Sequence, residues 1–325
     1  MSIKIGNLDV SSFKVGSADC RVYLGDIEVY SGDTPTPHDY SQDYFTMVAL
    51  GDNFELSWDG KVSGNCLSYS TDNGSTWSEP SSSFLVTLAN SGDTIMFKGS
   101  GMTSTLNKQI GTLRPTDFAV DYKVQGNIMS LLFGDNFVNQ TDLTGYVSAF
   151  GAFFQFSKTA PNTRLLSVEN LVLPATTLER GCYSNMFIYC TSITTAPELP
   201  ATTLAVDCYT SMFKGCTSLT TAPELPATTL ASTCYSTMFY GCSGLTESPI
   251  LPAETIKNQS YRGMFMGCTS LSAITCLATT GTNNTLSWVD GVAANGTFTK
   301  AASTSSWTTG SDGIPSGWTV VDYSG

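Results

Sequence analysis

Cysteines are the side chains with the widest chemical repertoire in this chain, and most of the ten keep a fixed step. Cys182, Cys208 and Cys234 follow one another at 26 residues, as do Cys190, Cys216, Cys242 and Cys268. Thiols so arranged could bind a metal, pair as disulfides, serve as nucleophiles or pack as small hydrophobes. Zinc is disfavoured, because the spacing inside one repeat is C-x7-C and no histidine lies nearby. Bridges within a repeat, such as Cys182 to Cys190, are disfavoured by the fourth repeat. There Ser260 replaces the first-series cysteine and would strand Cys268. The spacing favours two columns of reduced, buried thiols, since side chains one period apart in a stacked repeat lie above one another.

Other chemistry has less to build on. A Ser-His-Asp or Cys-His nucleophile needs a histidine, and the only one, His38, stands in the proline-bearing stretch GDTPTPHD. The chain has no GxSxG, P-loop, HExxH or dinucleotide fingerprint. A glycosidase can run on two carboxylates, and Asp52, Glu55, Asp59, Asp72 and Glu79 have the right type. They fall in turn-rich sequence, where acidic side chains are ordinarily solvated, and nothing pairs them. Glu198 and Glu224 recur at the repeat step, but Pro249 and Ile250 break the series, so they read as surface. No catalytic, cofactor-binding or metal-binding residue is assigned, and no enzyme and no cofactor is expected.

The elements that position these residues come from a repeat. LPATTL occurs at 173–178, 199–204 and 225–230, with the copy LPAETI at 251–256. Met186-Phe187, Met212-Phe213, Met238-Phe239 and Met264-Phe265 keep the same step. A constant period of this size predicts a solenoid in which each unit buries its apolar residues against the next. Within a unit, Leu219, Ala222 and Leu225 suit an extended segment, which Pro223 interrupts by removing a donor. Leu230, Cys234, Met238, Phe239 and Cys242 recur every three to four residues, which predicts one or two turns of helix ending near Gly241. The expected unit is a short strand plus a short helix, in the leucine-rich-repeat range.

Around the repeats the reading is mainly β. Residues 1–32 form a small β module, with Ile3, Ile5, Val22, Leu24, Ile27 and Val29 marking strands. Residues 33–39 read as a linker. Residues 40–126 read as a β-sandwich-like domain with strands at Tyr44–Leu50, Phe54–Trp58, Cys66–Ser70, Phe84–Ala89, Thr94–Lys98 and Phe118–Val124. Residues 127–276 hold the solenoid. Its irregular first repeat, 127–170, starts with an apolar strand in NIMSLLFGDNF and carries AFGAFFQF as an echo of YSNMFIYC. Residues 277–325, with Trp288, Phe298, Trp307 and Trp318, are expected to close the solenoid as a β cap of two or three strands.

Composition limits the partners. The net charge of −12 repels a phosphate backbone, which excludes nucleic acid as an expected partner. No run of 18 apolar residues predicts a membrane span, and MSIKIGNLDVSSFKVG alternates without the apolar core of a secretory signal.

Three stretches carry resemblances. Ser70-Thr71-Asp72-Asn73-Gly74-Ser75-Thr76-Trp77 resembles the Asp-box of sialidases and other β-propellers, a hairpin motif in which Asp72 caps the turn, Gly74 takes positive φ and Trp77 packs beneath. MFKGCTSLTTAPELP (212–226) resembles the BspA-like class of leucine-rich repeats; 186–200 and 238–252 depart from it in part. KIGNLDV followed by CRVYLGDIEVYSG resembles an N-terminal segment of virion and tail-associated proteins of Bacteroidales phages and prophages, crAss-like phages included, where it joins a variable module to the particle. GNIMSLLFGDNF and WVDGVAANGTFTKAAS resemble flanks of the same proteins. These resemblances imply a structural virion protein, as head fibre, decoration or tail-associated protein. It would contact other virion proteins through residues 1–32, assemble as a homo-oligomer, and present repeats for host attachment to a surface receptor or glycan. The alternative is a BspA-like adhesin on the bacterial cell surface, and a remote one is a carbohydrate-active enzyme.

Overall fold

The computed structural model describes residues 38–58, 67–79, 84–99, 110, 113–116, 119–304 and 307–324, together with the backbone of the strands between residues 3 and 33. The chain is mainly β, arranged in several sheets, and divides into two compact units, residues 1–39 and 40–325.

In the first unit, β1 (Ile3–Ile5) pairs antiparallel with β2 (Leu8–Val10). β3 (Ser12–Val15), β4 (Asp19–Leu24) and β5 (Ile27–Asp33) form an antiparallel sheet in which Leu24 faces Ile27. The residues expected to mark strands fall on β1, β4 and β5. Strand β5 continues through Asp33, so the module runs one residue past the expected boundary. Of the linker expected at 33–39, residues 34–37 lie outside the described residues.

The second unit begins with two sheets. β6 (Phe45–Ala49), β8 (Leu67–Ser70), β10 (Thr94–Gly99), β12 (Tyr122–Asn127) and β13 (Leu165–Val172) make a sheet in the order β13-β12-β6-β10-β8. β7 (Phe54–Trp58), β9 (Phe84–Leu88) and β11 (Leu113–Pro115) make another in the order β11-β7-β9. Alternate residues of β7, β10 and β12 are buried, as the period of two requires for half-buried strands. The two sheets meet through these rows: Phe54 lies 5.4 Å from Tyr122, and the partly buried Phe84 lies 6.3 Å from Phe97, ring to ring. Five of the six expected strands match within a residue or two at each end. The sixth is Tyr122–Asn127; residues 119–121 are not strand, and Phe118 lies outside the described residues.

The domain boundary expected at 126/127 does not exist as a break. It falls inside β12, whose outer neighbour β13 runs parallel to it and belongs to the repeat region. Phe45 of β6 meets Phe153 and Phe154 at 5.6 and 6.1 Å, so one core runs on into the repeats. The apolar strand expected in NIMSLLFGDNF is also corrected. After Asn127 the chain makes one helical turn, α1 (Ser130–Phe133), followed by a 3-10 turn at Gly134–Asn136. The Asn127 carboxamide accepts the Met129 N–H at 3.0 Å, and the buried Ser130 hydroxyl accepts from Phe45 N and donates to Phe97 O. Side-chain hydrogen bonds to the backbone turn the strand here.

The repeats stack in register. One ring column is Phe150, Tyr183, Tyr209, Tyr235, Tyr261 and Trp288, with neighbouring centroids 5.5 to 6.2 Å apart. The other is Phe154, Phe187, Phe213, Phe239 and Phe265, with centroids 5.4 to 5.8 Å apart. The expected echo in AFGAFFQF is therefore literal: Phe150 and Phe154 occupy the places of Tyr183 and Phe187.

The helix expected in each repeat is absent. Residues 207–216 form a run of linked turns with positive φ at every fourth residue, Asp207, Ser211 and Gly215. The N–H groups divide by parity. Those of Cys208, Thr210, Met212, Lys214 and Cys216 bond to the carbonyl three residues back. Those of Asp207, Tyr209, Ser211, Phe213 and Gly215 bond to carbonyls of the next repeat at Ser232, Cys234, Ser236, Met238 and Tyr240. An α-helix keeps all such bonds within itself. Here half are exported, and the left-handed residue at each fourth position prevents helical propagation.

The extended segments make isolated parallel bridges, Thr195 to Thr221 and Thr203 to Thr229. After β13, continuous strands return as β14 (Glu247–Leu251), β15 (Ala273–Cys276), β16 (Thr297–Lys300) and β17 (Thr319–Asp322), a parallel sheet in sequence order. The C-terminal stretch supplies two strands, within the number expected, and they join this parallel sheet. These strands add further rungs, and Trp288 extends the tyrosine column to Trp307 at 5.5 Å.

Two substitutions probe the columns. Phe213→Ala removes a fully buried ring and is expected to cost about 3–5 kcal/mol in a urea titration. Tyr209→Phe is expected to leave Tm unchanged or raise it, because the buried Tyr209 hydroxyl has no hydrogen-bond partner.

Candidate functional site

The cysteines come first because their spacing drew attention to them. Eight of them are buried and unpaired: Cys182, Cys190, Cys208, Cys216, Cys234, Cys242 and Cys268 in the two columns that the spacing predicts, and Cys276 apart from them at the end of β15. Cys20 and Cys66 carry no described side chain. The second column has a constant environment: the thiols of Cys190, Cys216, Cys242 and Cys268 donate to the carbonyls of Phe154, Phe187, Phe213 and Phe239 at 3.4, 3.1, 3.1 and 3.0 Å. Burial pushes Cys182, Cys234, Cys268 and Cys276 up to about 12, and raises Cys190, Cys208, Cys216 and Cys242 as well. These thiols are neutral packing groups, since the thiolate is the reactive form. Among the described residues, no group of three or more His, Cys, Asp or Glu side chains is placed to hold a metal ion.

The acidic residues singled out by type do not converge. Asp52 accepts the Ser91 N–H at 2.9 Å and Glu55 accepts the Thr116 hydroxyl at 2.9 Å, while Asp59 lies outside the described residues. Asp72 closes its own turn, as the Asp-box likeness implies. Its carboxylate accepts the Thr76 N–H, the Thr76 hydroxyl and the Ser70 hydroxyl at 2.9, 2.6 and 2.7 Å, with Gly74 at positive φ. The Thr76 hydroxyl, then its N–H and Ser70, hold the Asp72 carboxyl down to about 2. His38 is exposed, and Glu198 and Glu224 are exposed on adjacent repeats.

One polar cluster escaped the sequence. Asp135 accepts the Tyr44 hydroxyl at 2.7 Å and pairs with Lys98 Nζ at 2.8 Å. Lys98 lies 4.3 Å from the centre of the Trp77 ring, and Tyr44 meets Trp77 at 5.0 Å. Burial, then Asp135, pushes Tyr44 up to about 12; Lys98 and Tyr44 lower Asp135. The four residues come from four distant segments, so no local pattern announces them. Glu79, Lys98 and Asp135 border a cavity of about 340 Å³.

A larger ordered surface lies along the repeats. Thr202-Thr203, with Thr176-Thr177 and Thr228-Thr229 one repeat away on either side, are all exposed. Glu254-Thr255 and Thr279-Thr280 continue the two columns, and Thr141-Asp142 precedes them; bridges join Asp142 to Thr177 and Thr255 to Thr280. Beside them run Pro174, Pro200, Pro226 and Pro252. Between the last two repeats Pro223, Pro226, Pro249, Pro252 and the half-exposed Ile250 line a trough of about 360 Å³, with Glu224 at its edge.

Among the described residues, no helix is long and apolar enough to cross a membrane. No family model, curated protein or solved structure matches the chain.

Thiol chemistry tests the columns. In native protein at pH 8, iodoacetamide is expected to leave these eight cysteines unlabelled and to modify all of them after denaturation, read by peptide mass. The folded values are raised, so the stability the thiols contribute is complete below the ordinary thiol value of about 8.5. It is lost as pH rises towards the folded values near 12, and Tm should fall across that interval.

Proposed function

We propose that the chain is a non-enzymatic structural protein of a phage virion, carrying a leucine-rich-repeat solenoid of the BspA-like kind whose surface serves host attachment. In this reading the N-terminal unit fastens the protein to other virion proteins, and the repeats are displayed outward. The observation that carries it is the two-unit layout: the segment resembling a virion-attachment sequence is compact by itself, and the stacked repeats fall in the other unit. Stacked repeats suit such a role because each exposed column can vary while the buried columns stay constant. Virion fibres and decorations are commonly symmetric, so the protein is a homo-oligomer in the particle.

The test is peptide mass spectrometry on density-purified phage particles beside the host envelope fraction. Peptides from residues 1–32 and from the repeats are expected at stoichiometric levels in the particle. Peptides confined to the envelope would overturn the virion reading in favour of a surface adhesin of the BspA type.

A further inference from the structure

We infer that the threonine and proline columns of the repeats form a binding face for an extended, uncharged polysaccharide lying along the stack. This deepens the attachment reading above by naming the class of ligand, and it rests on that reading only for its biological setting.

Three features of the face select this ligand. The first is periodicity. Equivalent positions recur from Thr141 to Thr280 over six rungs, with Asp142 and Glu254 among the threonines and the Thr255 and Thr280 hydroxyls bonded to each other. Parallel strands stand about 4.8 Å apart, so the array is about 24 Å long. A β-1,4-linked hexose chain advances by nearly the same step per sugar, so each rung meets an equivalent part of the polymer. Irregular partners cannot use such a face repeatedly.

The second feature is its mixed polarity. Among the described residues, the hydroxyls of Thr202, Thr203, Thr228 and Thr229 make no hydrogen bond within the protein, so their donors and acceptors face outward. Threonine is β-branched and stiff at χ1, so the hydroxyls lose little entropy on binding. The adjacent proline rings and Ile250 supply an apolar trough. A pyranose has the matching halves, with C–H groups on its ring faces and hydroxyls at its edge.

The third feature is charge. The columns and the trough edge contain the carboxylates Asp142, Glu224 and Glu254 and neither lysine nor arginine. At a net charge of −12 the face repels phosphorylated, sulfated or uronate polymers and leaves neutral ones.

The full chain would be titrated with β-1,4-linked gluco-, manno- and xylo-oligosaccharides, from dimers to octamers, with carboxymethylated glucan as the charged probe. We expect affinity for one neutral series to rise with length until the oligomer spans the array, and the charged polymer to bind more weakly. Thr203→Val with Thr229→Val removes two hydroxyls at constant shape and should weaken binding about tenfold. Ile250→Lys should weaken it comparably, with Tm unchanged in both variants. Failure of every oligomer to bind, or binding that both variants leave intact, would overturn the inference. So would light scattering that shows a dimer broken by Ile250→Lys, because the face would then be covered by a second copy. Absence of the protein from particles would sink the virion reading and leave this binding result standing.

Discussion

The division of backbone N–H groups in the turn runs is the interaction on which the rest of the structure depends. In each run one set of donors bonds three residues back and shapes the turns, while the alternate set bonds to the following repeat. Buried amides must find partners, so neither set can be given up cheaply. The exported bonds fix the register between repeats one residue at a time, as in a parallel sheet, although the segment is not a strand. A slip would break every exported bond and misplace every local turn at once.

Register explains the composition of the core. Once repeats are locked at a fixed offset, equivalent residues stack, and each column must tolerate its own kind. Aromatic rings do so in near-parallel stacks, and thiols do so as small neutral groups that also reach a carbonyl. Charges do not, because like charges about 4.8 Å apart repel. The carboxylate column accordingly stops after Glu198 and Glu224, where Ile250 takes the next rung, and most exposed columns use threonine or proline. The low charge content of the chain is a consequence of stacking.

The two-sheet region shares this constraint. Strand β13 is both the edge of the five-stranded sheet and the start of the stacked repeats, joined in parallel to β12. Phe45, Phe153 and Phe154 carry the core across that junction. An antiparallel sheet thereby supplies the first edge on which parallel rungs build, and it shields an end that the repeats could not bury by themselves.

The period, the two cysteine columns, the ring columns and most strands of the first sheets were determined by the sequence, because each depends on a residue recurring at a constant interval. A resemblance to known families added an expectation of function that nothing in the packing requires. The tertiary structure decided what periodicity leaves open. Apolar residues every three to four positions fit a helix and a chain of four-residue turns equally well. The choice fell to residues such as Asp207, Ser211 and Thr237 adopting positive φ, which costs energy locally and is repaid by bonds to the next repeat. The continuity of the core through Asn127 and the meeting of Tyr44, Trp77, Lys98 and Asp135 were likewise beyond local reading. Both join segments far apart in the chain, and only folding brings such segments into contact.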